Sequence, residues 1–588
     1  MKILNCAKKI SSILSKHQKR QVLKLVILMI IGGVLEMCSV SLILPFMNII
    51  MEPEKTMESG YIQSICNILG IRSANTFLVV IAVVMAVIFL LKNIFFLYEY
   101  NVQYRTVYGN MLIMQEKLLS TLLHRPYEYF LKINSGEVVR IINTDTPNAF
   151  TLLVSLLQLF TEFIVSGMII LTVLLIAPVI TLIMGAVLLV LVLFINHILK
   201  PILHRAGEGM QESSAGMNKW LLQSIQGIKD VKVTSKERYF TKKFNDHGMG
   251  YVDALRKSNV LVIVPRFIIE AVSMCVIFAV IAIFIINGTR LEVIIPMLTA
   301  VAMASMRLLP SMSRISQFLG IISYNEPMLD KLIEYLKVVS GKEEVSLEME
   351  IDTGAAASSG RITGFSKNIR LENITYSYPG TDTLVFDGAD LTVDKGMSIG
   401  IVGASGAGKT TAVDLLLGML DPDKGRVLLD DTDIQSDLPG FFDLVGYIPQ
   451  SIFMMDDTIR ANVAFGEEDV SDDAVWDALK DASLDEFVKG LPDGLDTEIG
   501  ERGIRLSGGQ KQRIGIARAL YRDPEILIFD EATSALDDET EKSIMESINN
   551  LKGHKTMIII AHRLTTIEDC DAIYRVEDGK IFIADDVR

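Results

Sequence analysis

Six apolar runs in the first 320 residues constrain this chain more than any other feature. They lie near 22–50, 76–98, 150–177, 179–199, 260–287 and 293–316, each about long enough to cross a bilayer as a helix. A segment inside lipid must satisfy its own backbone hydrogen bonds, so these runs predict a six-helix membrane bundle. The loops alternate in charge. Residues 1–24 carry seven Lys and Arg and no acid, and the segments 99–149 and 200–259 are also rich in Lys and Arg. The loops 51–75, 177–178 and 288–292 are poor in them. This asymmetry predicts that both termini and the two long segments lie in the cytoplasm. The long segments read as helical, for example MLIMQEKLLSTLLH, so the helices are expected to project well beyond the bilayer. The external loop places Tyr61, Ile65, Ile68 and Leu69 at the spacing of a short amphipathic helix.

Past residue 340 the composition changes to that of a soluble, acidic protein. The stretch LIEYLKVVSGKEEVSLEMEIDTGAAASSG runs from helical to acidic to small residues, a tether composition. From Ile369 short β-rich runs alternate with helical ones, the pattern of an α/β domain built on βαβ units. The expected organisation is a membrane domain over 1–335, a linker over 336–368 and an α/β domain over 369–588. The net charge of −14 argues against a nucleic-acid partner. The five cysteines are scattered and form no CxxC pair, which suits neither a disulfide framework nor a zinc site.

The α/β domain holds two phosphate-chemistry signals. GASGAGKT, Gly403 to Thr410, matches G-x-x-x-x-G-K-[ST] and lies between a predicted strand, MSIGIV, and a predicted helix. Its glycines let the backbone N–H groups wrap a phosphate, and the helix N-terminus adds favourable partial charge. Gly403, Ser405, Gly406, Gly408, Lys409, Thr410 and Thr411 are the candidate binding residues, with the Thr410 hydroxyl directed to Mg²⁺. Downstream, ILIFDEATSALD is an apolar strand that ends in two carboxylates. Asp530 is placed to hold Mg²⁺ and Glu531 to orient and polarise the attacking water.

Between these signals stands LSGGQKQRIGIARAL. With this signature the chain resembles the ATPases of ABC transporters over residues 369–588, and the resemblance implies further roles. Tyr378 in YSYPG is similar to the aromatic that stacks on adenine, and Gln450 in YIPQS to the glutamine that senses Mg²⁺. Ser507, Gly508, Gly509 and Gln510 correspond to the signature that covers the ATP of the opposite copy. Asp537 lies in the equivalent of the D-loop, and His562 resembles the switch histidine that contacts the γ-phosphate. The implied cofactors are ATP and Mg²⁺. The implied assembly is a homodimer with two competent sites, since one chain holds one such domain. Six spans fused ahead of the ATPase resemble the exporter architecture. On that resemblance Pro126–Asp145 and Gly227–Phe240 hold the coupling helices.

Charges inside the spans are the sequence's clue to the cargo: Glu36, Glu162, Arg266, Glu270, Arg307 and Arg314. Gly32, Glu36 and Ser39 share a small, polar helix face, and Arg266 and Glu270 are one turn apart. Such charges are expected to face the interior and pair, with Glu36 balancing Arg266 or Arg307. Alternatively the arginines line a cavity for an anionic head group, which a guanidinium binds bidentately. GVLEMCSVSLILPF, PRFIIE and RLLPSMSRI resemble the bacterial flippases of lipid-linked oligosaccharides, which implies a polyprenyl-pyrophosphate glycan as cargo and membrane lipid as a partner. The expected location is the inner or plasma membrane. An exporter of peptide, lipid or hydrophobic drug is the competing reading. An ATP-gated channel or regulatory subunit fits less well with Glu531 and His562 both present.

Overall fold

The structure, a computed structural model, describes residues 2–41, 73–133, 135–176, 178–286, 291–340, 361–381, 383–531, 542, 546, 548–549, 551–561 and 566–584. By their contacts these residues fall into two compact units.

The first unit, Met1–Arg125 with Lys132–Asp352, is helical. Its main helices are α1 (Lys2–Ile13), α2 (Lys16–Ser41), α3 (Ala74–Leu123), α4 (Thr146–Ile176), α5 (Pro178–Gln226), α6 (Glu237–Ile286) and α7 (Leu291–Ser340). Among the described residues, four helical stretches are long and apolar enough to span a bilayer: Asn75–Leu123, Gly136–Met168, Gly185–Gln226 and Glu237–Val276. The expected span at 293–316 lies within α7. The one at 22–50 begins in α2 and runs into residues 42–72, outside the described residues, as does the expected external helix with Tyr61, Ile65, Ile68 and Leu69. At 50 residues, α3 is about 75 Å long, more than twice the ~30 Å hydrocarbon core, so much of it lies outside lipid. α2 packs on α3 and α4, α4 on α7, and α5 on both α6 and α7. Small residues permit the close approach of α2. A Cβ on Gly32 would fall 2.5 Å from Oε2 of Glu99, and one on Gly33 2.6 Å from Cγ2 of Ile164.

The second unit comprises Pro126–Leu131 and Thr353–Arg588. Within it, Asp421 N donates to Oε1 of Glu128 at 3.2 Å. Its strands are β1 (Asn368–Ser377), β2 (Leu384–Asp394), β3 (Ser398–Val402), β4 (Lys424–Leu429), β5 (Thr432–Asp433), β6 (Val445–Ile448), β7 (Ile526–Asp530), β8 (Thr556–Ile560), β9 (Ala572–Glu577) and β10 (Lys580–Ile583). An antiparallel sheet has the order β2-β1-β4-β5. A six-stranded sheet has the order β10-β9-β3-β8-β7-β6, parallel except for the edge strand β10. Both faces of its central strands are buried, which is why ILIFD and TMIII read as unbroken apolar runs. Side chains alternate between two cores. Ile526, Ile528, Ile558 and Ile560 join one, whereas Leu527, Phe529, Met557 and Ile559 join the other. The C-terminal ends of β3 and β7 thereby carry the phosphate loop and the two carboxylates on the same edge of one rigid sheet, where ligands of such sheets bind.

Candidate functional site

The phosphate loop connects β3 to α8 (Lys409–Leu416) and folds as its glycines dictate. Gly406 and Gly408 take φ of +82° and +107°, and a Cβ on Gly408 would lie 2.9 Å from Val385. Above Gly406 there is open space, so a group can approach that backbone closely. Lys409 is buried, and its Nζ donates to the carbonyls of Gly403 and Ala404 at 3.0 and 3.1 Å. Thr410 and Ser405 are exposed, whereas Thr411 is buried and its hydroxyl bonds that of Tyr378 at 3.0 Å. Tyr378 is thus fixed against the helix that follows the loop, and its ring packs edge-on to Tyr376.

Asp530 ends β7 almost fully buried. Its Oδ2 accepts from the Tyr447 hydroxyl at 3.4 Å, while Oδ1 has no partner. Burial and the neighbouring Glu531 raise its carboxyl above the usual carboxylate range. The orphaned Asp530 oxygen, the exposed Thr410 hydroxyl and the Gln450 amide oxygen, all carried at this edge of the sheet, make an all-oxygen donor set, which suits a hard cation such as Mg²⁺. Glu531 leaves the strand with φ of +49°, an uncommon value for a residue with a side chain. Its Oε2 accepts from Gln450 Nε2 at 2.5 Å. The structure therefore joins Gln450 to the candidate base directly. Tyr447, which sequence reading passed over, is the third member of this cluster; its place three residues before Gln450 on a β-strand was the available signal.

Asp414, on α8, faces this edge of the sheet. Burial first, and Asp530 second, push its carboxyl up to about 6. A raised folded value means the folded chain binds the proton more tightly. The resulting stabilisation is full below the ordinary value of 3.8 and is lost as pH rises through about 6. Asp414→Asn is expected to raise the apparent melting temperature at neutral pH and to flatten its fall between about pH 4 and 6. A pH series of thermal unfolding on the full chain in detergent checks this.

The signature opens α9 (Gly508–Leu520). Ser507 caps it: its hydroxyl accepts from Gln510 N at 3.2 Å, and Gln510 Oε1 accepts from Ser507 N at 2.8 Å. This reciprocal box fixes the helix start and leaves the N–H groups of Gly508 and Gly509 at an exposed, anion-favouring terminus. Asp537 and His562 lie outside the described residues.

A family model described as "ABC transporter" matches residues 386–534, and one described as "ABC transporter transmembrane region" matches residues 26–306. Together they cover well over half of the chain. The chain is a member of the ABC transporter family. An "ATP-dependent lipid A-core flippase" of Saccharophagus degradans is 34% identical over 363 residues, 61% of this chain and 58% of that protein. A protein of the same name from Chromobacterium violaceum is 41% identical over 238 residues, 40% of this chain and 39% of that one. The alignments thus span less than two thirds of either relative. A solved structure, "Structure of a bacterial Atm1-family ABC exporter with ATP bound", matches with a TM-score of 0.74 and 23% identity over 96% of this chain and 94% of that one. That likeness establishes the fold: a helical transmembrane domain followed by a nucleotide-binding domain. With its apolar helices, this ABC transporter is an integral, multi-pass membrane protein.

The intramembrane charges of this transporter depart from the sequence expectation. Gly32, Glu36 and Ser39 are buried together, and the Ser39 hydroxyl donates to the Glu36 carbonyl at 2.8 Å. Among the described residues Glu36 pairs with Lys92 on α3, at 2.7 Å, and not with Arg266. α2 and α3 pack side by side, and this pairing sets Lys92 opposite Glu36. Arg266 and Glu270 are both exposed on α6, and no ion pair joins them among the described residues. The side chain of Arg307 lies outside the described residues. Arg314 is half-exposed and pairs through Nε with Oε1 of the buried Glu162 at 2.6 Å. Its Nη2 reaches the Ser311 hydroxyl at 3.5 Å.

Proposed function

We propose that this chain is an ATP-driven exporter or flippase that works as a homodimer. It moves an amphipathic, anionic lipid from the cytoplasmic to the outer side of the cell membrane, with both termini and the ATPase domain in the cytoplasm. The observation that carries the reading is the cluster at the ends of β3 and β7: a glycine cradle with Lys409 beneath it, and Asp530, Glu531 and Gln450 beside it.

Each residue then has a task. The loop N–H groups and Lys409 hold the β- and γ-phosphates of ATP, and Tyr378 receives the adenine ring. Thr410, Asp530 and Gln450 hold Mg²⁺, which when bound neutralises charge on the phosphate oxygens. Glu531 orients a water for in-line attack on the γ-phosphorus and accepts its proton. The bond from that phosphorus to the β,γ-bridging oxygen breaks, giving ADP and phosphate. His562 contacts the γ-phosphate. Ser507, Gly508, Gly509 and Gln510 of one copy cover the nucleotide of the other, with Asp537 at the same junction. Closure around ATP is transmitted through Pro126–Asp145 and Gly227–Phe240 to the membrane helices.

For the cargo, we infer a polyprenyl-pyrophosphate-linked oligosaccharide. Support comes from the resemblance of the membrane helices to flippases of such lipids and from relatives named lipid A-core flippases. Arg314 supports it too: it pairs through Nε with Glu162, its Nη2 reaches the Ser311 hydroxyl, and its side chain stays half-exposed. A guanidinium so held keeps N–H groups with which to bond a phosphate oxygen. Arg314→Ala is expected to lower glycolipid transport at least about ten-fold, a loss of ~1.4 kcal/mol, with Arg314→Lys intermediate. Arg266→Ala and Arg307→Ala are expected to impair transport more than basal ATP hydrolysis. The test is reconstitution in liposomes with lipid-linked oligosaccharide, following both ATPase stimulation and transport. Stimulation by peptides or apolar drugs and not by the glycolipid would replace this cargo with the competing one.

A further inference from the structure

α2 has two different sides. Leu25, Met29 and Glu36 are buried on the packed one, where Gly32 meets Glu99 of α3 and Gly33 meets Ile164 of α4. The opposite side is exposed throughout, and its polarity changes along the helix. First come four cations, Lys16, Lys19, Arg20 and Lys24, over about 12 Å of helix. At Leu23 the strip turns apolar and continues through Ile27, Ile31 and Val34, with exposures of 59%, 53%, 45% and 39%. Steps of three and four residues keep all eight on one side. The apolar part is about 16 Å long, the depth of one leaflet's hydrocarbon, half of ~30 Å.

The protein supplies little to balance these cations. Residues 1–24 hold no Asp or Glu. The ion pair nearest in sequence, Lys9 with Asp330 at 2.5 Å, ties α1 to α7 and leaves α2 aside. Among the described residues no ion pair holds Lys19, Arg20 or Lys24. A second copy of this chain does not suit the strip: a two-fold contact through it would set the same cations against each other. Positive charge followed by one leaflet's depth of apolar surface is the complement of a lipid with an anionic head group and an acyl chain.

We propose that the exposed side of α2 binds an anionic diacyl phospholipid of the leaflet it enters. The phosphate lies against Lys19, Arg20 and Lys24, and an acyl chain runs along Ile27, Ile31 and Val34. This lipid is a resident of the membrane and not the cargo. The long Lys and Arg stems lie on apolar surface while their charged ends stay at head-group level. A guanidinium bonds a phosphate through two N–H groups, and each ammonium adds charge. A zwitterionic head group carries its own ammonium beside the phosphate, so the strip discriminates by net charge. The site has a structural consequence. A lipid that seats α2 at one depth also sets the level at which Gly32 and Glu36, on its packed side, meet Glu99 and Lys92 of α3.

The experiment titrates the full-length protein in detergent with phosphatidylglycerol or phosphatidylcholine of the same acyl chains, and counts bound lipid by native mass spectrometry. The parent is expected to bind phosphatidylglycerol at least about ten-fold more tightly. Lys19→Gln and Arg20→Gln should each weaken that binding about five-fold and change phosphatidylcholine binding less than about two-fold. Arg20→Lys keeps the charge and should stay near the parent. The triple change Lys19→Gln, Arg20→Gln and Lys24→Gln should bring the two lipids level; the single variants carry the test if the triple one fails to fold. Raising salt from about 0.05 to 0.5 M should remove most of the preference, because the cations are exposed. A parent that binds the two lipids alike overturns the site, and the cations then only anchor the helix end. A preference that survives in the single and triple variants places the anionic lipid elsewhere and overturns it too. An unchanged preference with loss of the dimer in the triple variant gives this side of α2 to a second copy instead.

Discussion

Glu531→Gln is expected to cut steady-state ATP hydrolysis by roughly 10²–10⁴-fold while ATP still binds, the range by which a positioned general base accelerates proton transfer. The argument runs from geometry. Glu531 is the first residue beyond β7, and its φ of +49° turns it out of the strand while Asp530 stays buried behind it. The two carboxylates thereby separate into two environments. Asp530 is enclosed, with an orphaned oxygen, and suits a cation; Glu531 holds the more open position from which a water is reached. An amide at 531 keeps the volume and can still accept from Gln450 Nε2, so the local structure should survive. It cannot take the proton of the attacking water. ATP binding depends on the loop, Lys409 and Tyr378, none of which the change touches. Asp530→Asn should behave differently, weakening Mg²⁺-dependent nucleotide binding as well as turnover. Single-turnover hydrolysis alongside equilibrium ATP binding separates the two. Parent-rate hydrolysis by Glu531→Gln would remove Glu531 from the base role. The Gln450 contact adds a second expectation: Gln450→Ala removes one donor to Glu531 but keeps its carboxylate, so its effect on turnover should be smaller than that of Glu531→Gln and should shift the Mg²⁺ dependence.

The phosphate loop, the strand ending in two acids and the signature helix were legible because each is local. The glycines at 406 and 408 are required by the backbone they sit in, and the cap at Ser507 is a four-residue device. What sequence reading missed depends on register between helices. Lys92 stands in the apolar run at 76–98, a single cation among aliphatic residues, and nothing local marks Glu36 as its partner. Spacing along one helix gives a face; it does not give which residue of another helix meets that face. The same limit hid the pairing of Glu162 with Arg314, although both residues had been singled out. Tyr447 escaped because it lies on a strand and gains its meaning only when β6 pairs with β7.

The Glu36–Lys92 pair carries the second large expectation. Both side chains are more than nine-tenths buried, and Lys92 Nζ also lies over the Phe89 ring at 4.8 Å and near that of Phe96 at 6.0 Å. In a bilayer interior a lone charge costs at least ~2.5–3.5 kcal/mol, so pairing makes both charges more tolerable. Removing Glu36 takes from the buried Lys92 ammonium the carboxylate it is paired with. Glu36→Ala alone is expected to destabilise the transporter by about 3–5 kcal/mol, and Lys92→Ala to destabilise it as well. Glu36→Leu with Lys92→Met removes both charges at similar volume and should recover most of the loss, because well-packed apolar residues often equal or exceed a buried pair in stability. Thermal unfolding of the parent, both single variants and the double variant in detergent forms a complete cycle, and a coupling above about 1 kcal/mol is expected. Transport then decides what the pair is for. If the stable double variant transports as the parent does, the pair only joins α2 to α3. If it is stable and inactive, the charges act in the transport cycle. Glu36→Gln alone with unchanged stability would refute the pairing, since an amide leaves the buried ammonium without its counter-charge.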